Sequence, residues 1–253
     1  MARAYVIGVD EVGRGPIAGP LCVGACLVRA GGRCLFLRGV KDSKQLSGGE
    51  RQRWAERLRR AAASGGCRLA TSFVGERRIE RLGLSAALAL AVCRALRKLG
   101  VAPESCRVLL DGGLRAPRTF PFQETVIGGD ESVSLIAAAS IVAKVRRDRY
   151  MTRLARQYPQ YGFEKHKGYG TKQHYKALRK HGLSPAHRKS FLKRFQATNT
   201  KLQAIPNTQY PNSKSSNSVC VREGRKRGVS SHQISTKDYL YKGLSFATKV
   251  SPL

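Results

Sequence analysis

Acidic residues are scarce in this chain of 253 residues, which contains 16 Asp and Glu residues against 47 Lys and Arg residues. The resulting formal net charge of +31 is larger than an ordinary small-molecule enzyme needs. It predicts a polyanionic partner, and nucleic acid is the partner that fits best. Charge alone does not separate an enzyme from a passive binding protein, but it does predict that affinity falls as salt rises.

Long apolar runs and paired cysteine motifs are also lacking. Charged residues or glycines interrupt every apolar segment before it reaches transmembrane length, and the N-terminus shows no secretory signal pattern. The seven cysteines are an odd number and have no partners at zinc-finger spacing. We therefore expect reduced thiols, no membrane association and a cytoplasmic location.

The composition divides the chain into three parts. Alternating strand and helix patterns over residues 1–157 predict an α/β core with a mixed sheet. Residues 158–195 predict a basic helical region, in which the histidines are expected to contact phosphate or lie on the surface rather than bind metal. Residues 196–253 are rich in Ser, Asn, Thr, Lys and Gln and carry a net charge of +7, which predicts a disordered basic tail.

Local patterns predict individual elements within these parts. Apolar runs predict strands over residues 4–12, 21–29 and 33–38, and their close spacing favours an antiparallel meander. Ser47 is predicted to cap a helix over residues 48–64, and Ser184 is predicted to cap another that ends near Phe195. Small residues dominate part of a predicted helix over residues 132–156, so this helix can approach the sheet closely.

Three predicted strands end in acidic residues: Asp10 with Glu11, Asp111, and Asp130. Such ends can meet at one edge of an α/β sheet, where clustered carboxylates repel one another unless a cation neutralises them. Oxygen ligands suit Mg²⁺ or Mn²⁺. Two such ions about 4 Å apart can activate a water and stabilise the leaving oxygen of a phosphodiester. An acidic site within a basic protein therefore predicts metal-dependent phosphodiester hydrolysis.

The adjacent acids Asp10 and Glu11 raise a geometrical problem, because neighbouring residues of a regular strand point to opposite faces. We expect Asp10 to be the central ligand. Glu11 can contribute its side chain if the following glycine-rich turn bends the strand, or else its backbone carbonyl or a bound water.

Several motifs occur in the same order as in bacterial ribonuclease HII, the type 2 ribonuclease H family, and residues 4–195 resemble that family. The motifs are Gly8–Pro16, Asp42-Ser43-Lys44, Leu110-Asp111-Gly112, Gly129-Asp130, Ala137–Val145 with Arg147-Asp148, and Lys167–Thr171. The resemblance implies an RNase H-like mixed five-stranded sheet flanked by helices, with a C-terminal helical appendage.

The resemblance also implies a function. Members of this family hydrolyse the RNA strand of RNA–DNA hybrids and nick duplex DNA on the 5′ side of embedded ribonucleotides, leaving 3′-OH and 5′-phosphate ends. The implied partners are these two duplexes, and we expect a monomer.

Residue roles follow from the matching motifs. Asp10, Glu11, Asp111 and Asp130 match the catalytic, metal-binding acids. The turn Gly13-Arg14-Gly15 matches the one that recognises the ribose 2′-OH, Tyr169 matches a tyrosine that packs on the sugar, and Ser43 and Lys44 match a phosphate-contacting loop. Two departures are that Gly113 stands where asparagine is frequent and Gly129 where lysine is frequent. Arg14, and a chain that starts at the first strand, favour ribonuclease HII over ribonuclease HIII.

Two rival hypotheses remain at this point. A passive basic binding protein would use the acids as structural caps and would cleave nothing. A DNA-directed nuclease of the same fold class would cut all-DNA duplex equally well.

Overall fold

A five-stranded sheet forms the centre of the protein in the computed structural model, which describes residues 4–198. The strands are β1 (Tyr5–Val12), β2 (Leu21–Arg29), β3 (Arg68–Val74), β4 (Cys106–Asp111) and β5 (Gln123–Val126), in the order β3-β2-β1-β4-β5. Strands β1, β4 and β5 are parallel, whereas β2 is antiparallel to both of its neighbours. The mixed five-stranded sheet is therefore confirmed.

Eight helices accompany the sheet within the described residues. They are α1 (Gly48–Ala63), α2 (Glu76–Leu82), α3 (Leu84–Arg97), α4 (Gly129–Ser132), α5 (Ser134–Gln157), α6 (Phe163–His166), α7 (Lys172–His181) and α8 (Lys193–Ala197). Ser47 caps α1 as predicted, because its hydroxyl accepts from the Glu50 backbone while the Glu50 carboxylate accepts from the Ser47 backbone. None of the helices in this part of the chain is long and apolar enough to span a membrane.

The helices cover both faces of the sheet. Ile7 and Val9 of β1 pack with Ala87 and Ala91 of α3 on one face, whereas α1 and α5 cover the other. Helix α5 lies very close to the sheet, as its small residues predict. A Cβ atom at Gly8 would overlap the backbone of Leu135, and one at Gly24 would overlap the Ala139 carbonyl. This close contact fixes α5 directly beside the end of β1.

Two predicted elements are wrong. The third strand is formed by residues 68–74, because residues 33–38 instead form a short 3-10 turn over Leu35–Leu37, which leaves Leu35 exposed and buries Leu37 against the α1 side of the core. Ser184 does not begin a helix, because its hydroxyl hydrogen-bonds His187 and the Ala186 N–H, and the chain there forms an isolated bridge with Ala18. Within residues 4–198, a short 3-10 turn over Lys189–Leu192 and the short helix α8 follow.

The C-terminal part of the described chain packs on the second half of α5. A separate apolar cluster joins Met151 and Leu154 of α5 to Tyr161, Phe163 and Leu178. The boundaries at residues 157 and 195 remain predictions. The prediction of a disordered tail concerns residues 196–253, of which all but the first three lie outside the described residues.

Candidate active site

The parallel pairing of β1 and β4 brings Asp10 and Asp111 to the same edge of the sheet. Val9 pairs with Leu110, so the two aspartates follow at the same level on neighbouring strands. Asp10 is only 5% exposed and accepts a 2.7 Å hydrogen bond from the Glu11 backbone N–H. Asp111 accepts a 2.8 Å hydrogen bond from the backbone N–H of Gly129.

Burial makes Asp10 an unusual carboxylic acid. It raises the pKa of Asp10 to about 7, the hydroxyl of Ser140 opposes this rise, and the neighbouring charges of Glu11 and Asp111 add to it. A carboxylate that is this poorly solvated gains strongly from a bound cation. The site therefore fits a hard divalent ion that prefers oxygen ligands.

Glu11 faces away from Asp10, because β1 stays regular through both residues and each pairs with β2. Its carboxylate forms a 3.2 Å ion pair with Arg14. Burial raises the pKa of Glu11, Arg14 counteracts the rise, and the charge of Asp111 reinforces it. Both Asp10 and Glu11 thus interact electrostatically with Asp111, although the glycine-rich turn does not bend the strand to bring them onto one face.

Asp130 is not at the end of a strand, contrary to the prediction. Strand β5 ends at Val126, and Gly128, with a φ of 63°, turns the chain into the short helix α4, which carries Asp130. Asp130 is 4% exposed, and its carboxylate lies 2.8 Å from the Lys44 ammonium group. The structure therefore brings Lys44 to the acids, where its charge compensates that of Asp130.

The four acids have separate partners in this arrangement. Within residues 4–198, no three His, Cys, Asp or Glu side chains lie close enough together to enclose one metal ion. Each carboxylate instead has its own partner: the Glu11 N–H for Asp10, Arg14 for Glu11, the Gly129 N–H for Asp111 and Lys44 for Asp130. Asp10, Glu11, Asp111 and Asp130 are nonetheless the oxygen donors at this edge that fit a divalent ion.

Ser43 is buried, so it lies in a different environment from the solvated loop that its neighbours suggest. Its hydroxyl lies 2.8 Å from that of Ser140, which interacts with Asp10. The Asp42 carboxylate accepts from the Lys44 backbone N–H at 2.9 Å. Ser43 thus anchors this loop to α5 and holds Lys44 beside Asp130.

The turn Gly13-Arg14-Gly15 follows β1 directly. Gly13 has a φ of 93°, and a Cβ atom there would overlap the Arg147 side chain, so the fold itself requires this glycine. Gly15 is different, because it has no unusual φ and no atom lies within 4 Å of the position of a Cβ. The fold alone does not explain the glycine at position 15.

Two buried arginines that the sequence analysis gave no role hold the backbone of this turn. Arg188 donates to the carbonyl oxygens of Gly13 at 2.8 Å, Arg14 at 2.9 Å and Gly19 at 2.7 Å. Arg147 donates to Pro20 at 2.9 Å and to Lys167 at 3.0 Å. Arg147 falls on the apolar stripe of α5, and a charged residue at such a position is a signal that could have identified it.

The loop that carries Tyr169 is held against the residues that follow this turn. Gly168, with a φ of 86°, accepts hydrogen bonds at its carbonyl from the backbone N–H groups of Ile17 and Ala18 at 3.0 and 3.2 Å. The Tyr169 side chain is 44% exposed, so its ring is available to a ligand.

Two buried histidines, linked by hydrogen bonds, support the backbone of this loop. His174 Nδ1 lies 2.8 Å from the Tyr169 carbonyl, so it carries the proton, and its Nε2 accepts from His187 Nε2 at 3.0 Å. His187 Nδ1 then accepts from Ser184. The prediction that these histidines contact phosphate or lie on the surface is wrong for His174 and His187, which are 0% and 3% exposed.

Comparison with known proteins agrees with this arrangement. The family model for ribonuclease HII matches residues 7–198. Ribonuclease HII of Thermosynechococcus vestitus is 44% identical over 203 residues, which cover 79% of this chain and 90% of that protein. The crystal structure of ribonuclease H2 from Pyrococcus horikoshii OT3 has a TM-score of 0.63 and 25% identity, covering 78% of this chain and 99% of that one.

A second solved structure, that of Bst-RNase HIII in complex with Mn²⁺, has a TM-score of 0.52 and 25% identity, and it covers 71% of this chain and 62% of that one. The matched residues contain the acids, the Gly13-Arg14-Gly15 turn and Tyr169. The chain therefore belongs to the ribonuclease HII family, and it is a metal-dependent endonuclease that degrades the RNA of RNA–DNA hybrids.

Proposed function

We propose that this enzyme also nicks duplex DNA on the 5′ side of an embedded ribonucleotide, leaving 3′-OH and 5′-phosphate ends, with Mn²⁺ or Mg²⁺ as its cofactor. The observation that carries the proposal is the connection between the acids and the turn. Asp10 and Glu11 lie in the last three residues of β1, the turn Gly13-Arg14-Gly15 follows that strand directly, and Arg14 pairs with Glu11 at 3.2 Å. Recognition of the sugar and hydrolysis of its phosphate are thereby held in one rigid segment.

Each group has a role in this proposal. Asp10, Glu11, Asp111 and Asp130 hold two divalent ions, which activate water and stabilise the leaving oxygen. Gly15 leaves room for the ribose, and backbone groups of the turn hydrogen-bond its 2′-OH, the group that distinguishes RNA from DNA. Tyr169 packs on the neighbouring sugar. Lys44 contacts a substrate phosphate, and Ser43 keeps its loop in place.

The decisive experiment uses a DNA duplex with one ribonucleotide, incubated with Mn²⁺ or Mg²⁺, and maps the nick. We expect one cut, directly 5′ to the ribonucleotide, and none in the matching all-DNA duplex. Equal cutting of the all-DNA duplex would favour a DNA-directed nuclease, and binding without cleavage would favour a passive binding protein.

A variant of the acid group tests the chemistry. Asp10→Asn should abolish cleavage while duplex binding persists, because it removes a metal ligand but no contact to the nucleic acid. Glu56→Gln removes a carboxylate on the surface of α1, where it pairs with Arg59 and Arg60, and should cleave normally. Retained turnover by Asp10→Asn would contradict the assignment.

We also propose that the enzyme acts as a monomer in the cytoplasm. All the residues of the proposed site belong to one chain, so no second copy is needed to complete it. Sedimentation with and without duplex would test this, and a dimer as the active species would contradict it.

A further inference from the structure

A basic groove of about 640 Å³ runs along the second half of α5, outside the site described above. Its basic lining residues, which define the groove, are Arg51, Arg146, Arg149, Arg153, Arg156 and Lys167. Asp148 is the acidic residue of the lining, and Lys144 neutralises it at 2.7 Å. The groove therefore has a strong positive potential.

Four of these arginines form a row on one helix face. Arg146, Arg149, Arg153 and Arg156 follow one another at intervals of three and four residues, and all four are exposed. Within the described part of the chain, none of them forms an ion pair with a carboxylate. A row of exposed cations without counter-charges is suited to an extended polyanion.

Two of the lining residues connect the groove to loops of the proposed site. Arg51 donates to the carbonyl of Ser43 at 2.9 Å, in the loop that holds Lys44. Lys167 donates to the Glu164 carbonyl at 2.6 Å and lies two residues before Tyr169. The groove is thus in contact with both loops that we assign to the substrate.

The groove also lies at the same sheet edge as the acids. Its wall includes Phe73 near the end of β3, which pairs with Cys22, and Cys22 pairs with Val12 of β1. Helix α5 passes Asp10 at Ser140, so its arginine row begins about 9 Å and ends about 24 Å farther along the helix axis. At a rise of 3.4 Å per base pair, this span corresponds to about three to seven base pairs of duplex.

We propose that the basic groove binds the phosphodiester backbone of the duplex three to seven base pairs from the cleaved bond. The location of that bond rests on the proposed function, whereas the contacts themselves do not depend on the sugar. The row is linear, positively charged and directed away from the acids, and these properties match a continuous nucleic-acid strand better than an acidic protein segment.

The test compares Arg149→Ala/Arg153→Ala with the wild-type full-length chain by fluorescence anisotropy on a 24-base-pair all-DNA duplex without divalent metal. Affinity should fall about tenfold at 0.15 M salt, and the slope of log K against log salt should decrease by about 2. Arg149→Lys/Arg153→Lys should retain the wild-type slope. Equal melting temperatures would show that the folds are intact.

Arg29→Ala/Arg33→Ala is the matched control, because it removes two exposed charges beyond the opposite edge of the sheet. It should bind within twofold of wild type. A length series adds a geometrical readout. It uses a duplex with one ribonucleotide, again without divalent metal, so that the position of the bound enzyme is defined. When the duplex on the groove side of the ribonucleotide is cut to two base pairs, wild type and Arg149→Ala/Arg153→Ala should bind equally.

Unchanged affinity and slope in the double alanine variant would overturn the proposal. So would a variant that loses binding to poly-glutamate but keeps binding to DNA, since the groove would then serve an acidic protein partner. If wild type binds plain duplex through the groove but fails to nick at a ribonucleotide, the proposed function fails while the groove assignment stands. If it nicks normally and the variant binds plain duplex like wild type, the groove assignment alone fails.

Discussion

Lys44 lies 2.8 Å from Asp130, so a lysine ammonium group occupies a position beside an acid that we assign to metal binding. Asp130 is buried and Lys44 is largely exposed, with 75% of its side chain accessible. The pair thus combines a carboxylate that requires a cation with a cation that can leave. If Asp130 binds a divalent ion, as we propose, that ion and Lys44 compete for the same carboxylate.

Replacing Lys44 should therefore strengthen metal binding. We expect Lys44→Met to bind Mn²⁺ about two- to fivefold more tightly, since an exposed ion pair contributes up to about 1 kcal/mol. Calorimetric titration measures this affinity directly. Lys41→Met, which removes an exposed charge three residues earlier, should bind Mn²⁺ as wild type does. Identical affinities for both variants would show that Lys44 does not compete.

The two glycines of the turn should respond differently to alanine. Gly15→Ala should leave the free energy of unfolding within about 0.5 kcal/mol of wild type, because a Cβ there has free space. Gly13→Ala should cost about 2 kcal/mol or more, because it combines a positive φ with overlap with Arg147. Urea unfolding measures both values.

The cleavage rate of Gly15→Ala tests whether this glycine serves substrate recognition. Gly15→Ala should lower kcat/KM on the single-ribonucleotide duplex about tenfold or more, since the added methyl group occupies space that the ribose needs. Its binding to all-DNA duplex should stay within twofold of wild type. Full activity of Gly15→Ala would contradict the assignment of this turn to sugar recognition.

We expect Arg188 to affect cleavage at the ribonucleotide indirectly, by positioning the backbone of the Gly13-Arg14-Gly15 turn. Arg188→Lys cannot hold the carbonyls of Gly13, Arg14 and Gly19 together, because an ammonium group lacks the planar fork of a guanidinium. We expect a loss of about 2–4 kcal/mol in stability. In the folded protein, kcat/KM at the ribonucleotide should fall by about 10- to 100-fold.

The control for Arg188 is Arg194→Lys, an equivalent change at an exposed position nearby. It should alter neither stability nor kcat/KM. Binding of all-DNA duplex, measured well below the melting temperature, should stay within twofold of wild type in both variants. A parallel loss of plain DNA binding in Arg188→Lys would indicate general disruption instead of a positioning role.

The histidine chain predicts how stability depends on pH. Burial lowers the pKa of His174 to about 4 and that of His187 to about 3, and in each case a neighbouring histidine contributes to the decrease. The unfolded chain binds protons below pH 6.5, whereas the folded chain keeps both rings neutral. The contribution of these two histidines to the free energy of unfolding is therefore fully present above pH 6.5. It decreases as the pH falls toward 4, by up to about 1.4 kcal/mol per pH unit for each histidine.

His187→Gln removes one of these groups and keeps an N–H donor near the position of Nε2. Between pH 6 and 4.5 its unfolding free energy should decline less steeply than that of wild type, by up to about 1.4 kcal/mol per pH unit. Urea titrations at several pH values give the slope. Equal slopes would mean that His187 is not kept neutral by the fold.

The sequence predicts correctly those features that depend on interactions between residues close together in the chain. The capping box of Ser47 and Glu50, the apolar run before Asp10 and the small residues of α5 each determine their surroundings within a few positions. The first two strands of the predicted meander pair antiparallel as expected, whereas the third strand is wrong, because burial of Leu37 against the core outweighed pairing of residues 33–38.

The residues that support the site could not be predicted from the sequence for a different reason. Arg188 holds Gly13 across 175 residues of sequence, and His187 acts on Tyr169 through His174. Such contacts form only when separate parts of the chain meet, so no local sequence pattern predicts them. The motif predicts Asp130 as an acid of the site, which stays a prediction, and its position on a helix depends on the turn at Gly128.

The long connection from Gly13 to Arg188 has a consequence for biosynthesis. Translation at about 5–20 residues per second separates the appearance of these two residues by about 10–35 s. During that interval Asp10 and Glu11 have been synthesised, but the turn that we assign to ribose recognition lacks the support of Arg188. All four acids that we assign to metal binding precede Arg188 in the chain, so the proposed discrimination of the sugar is the last part of the site to be completed.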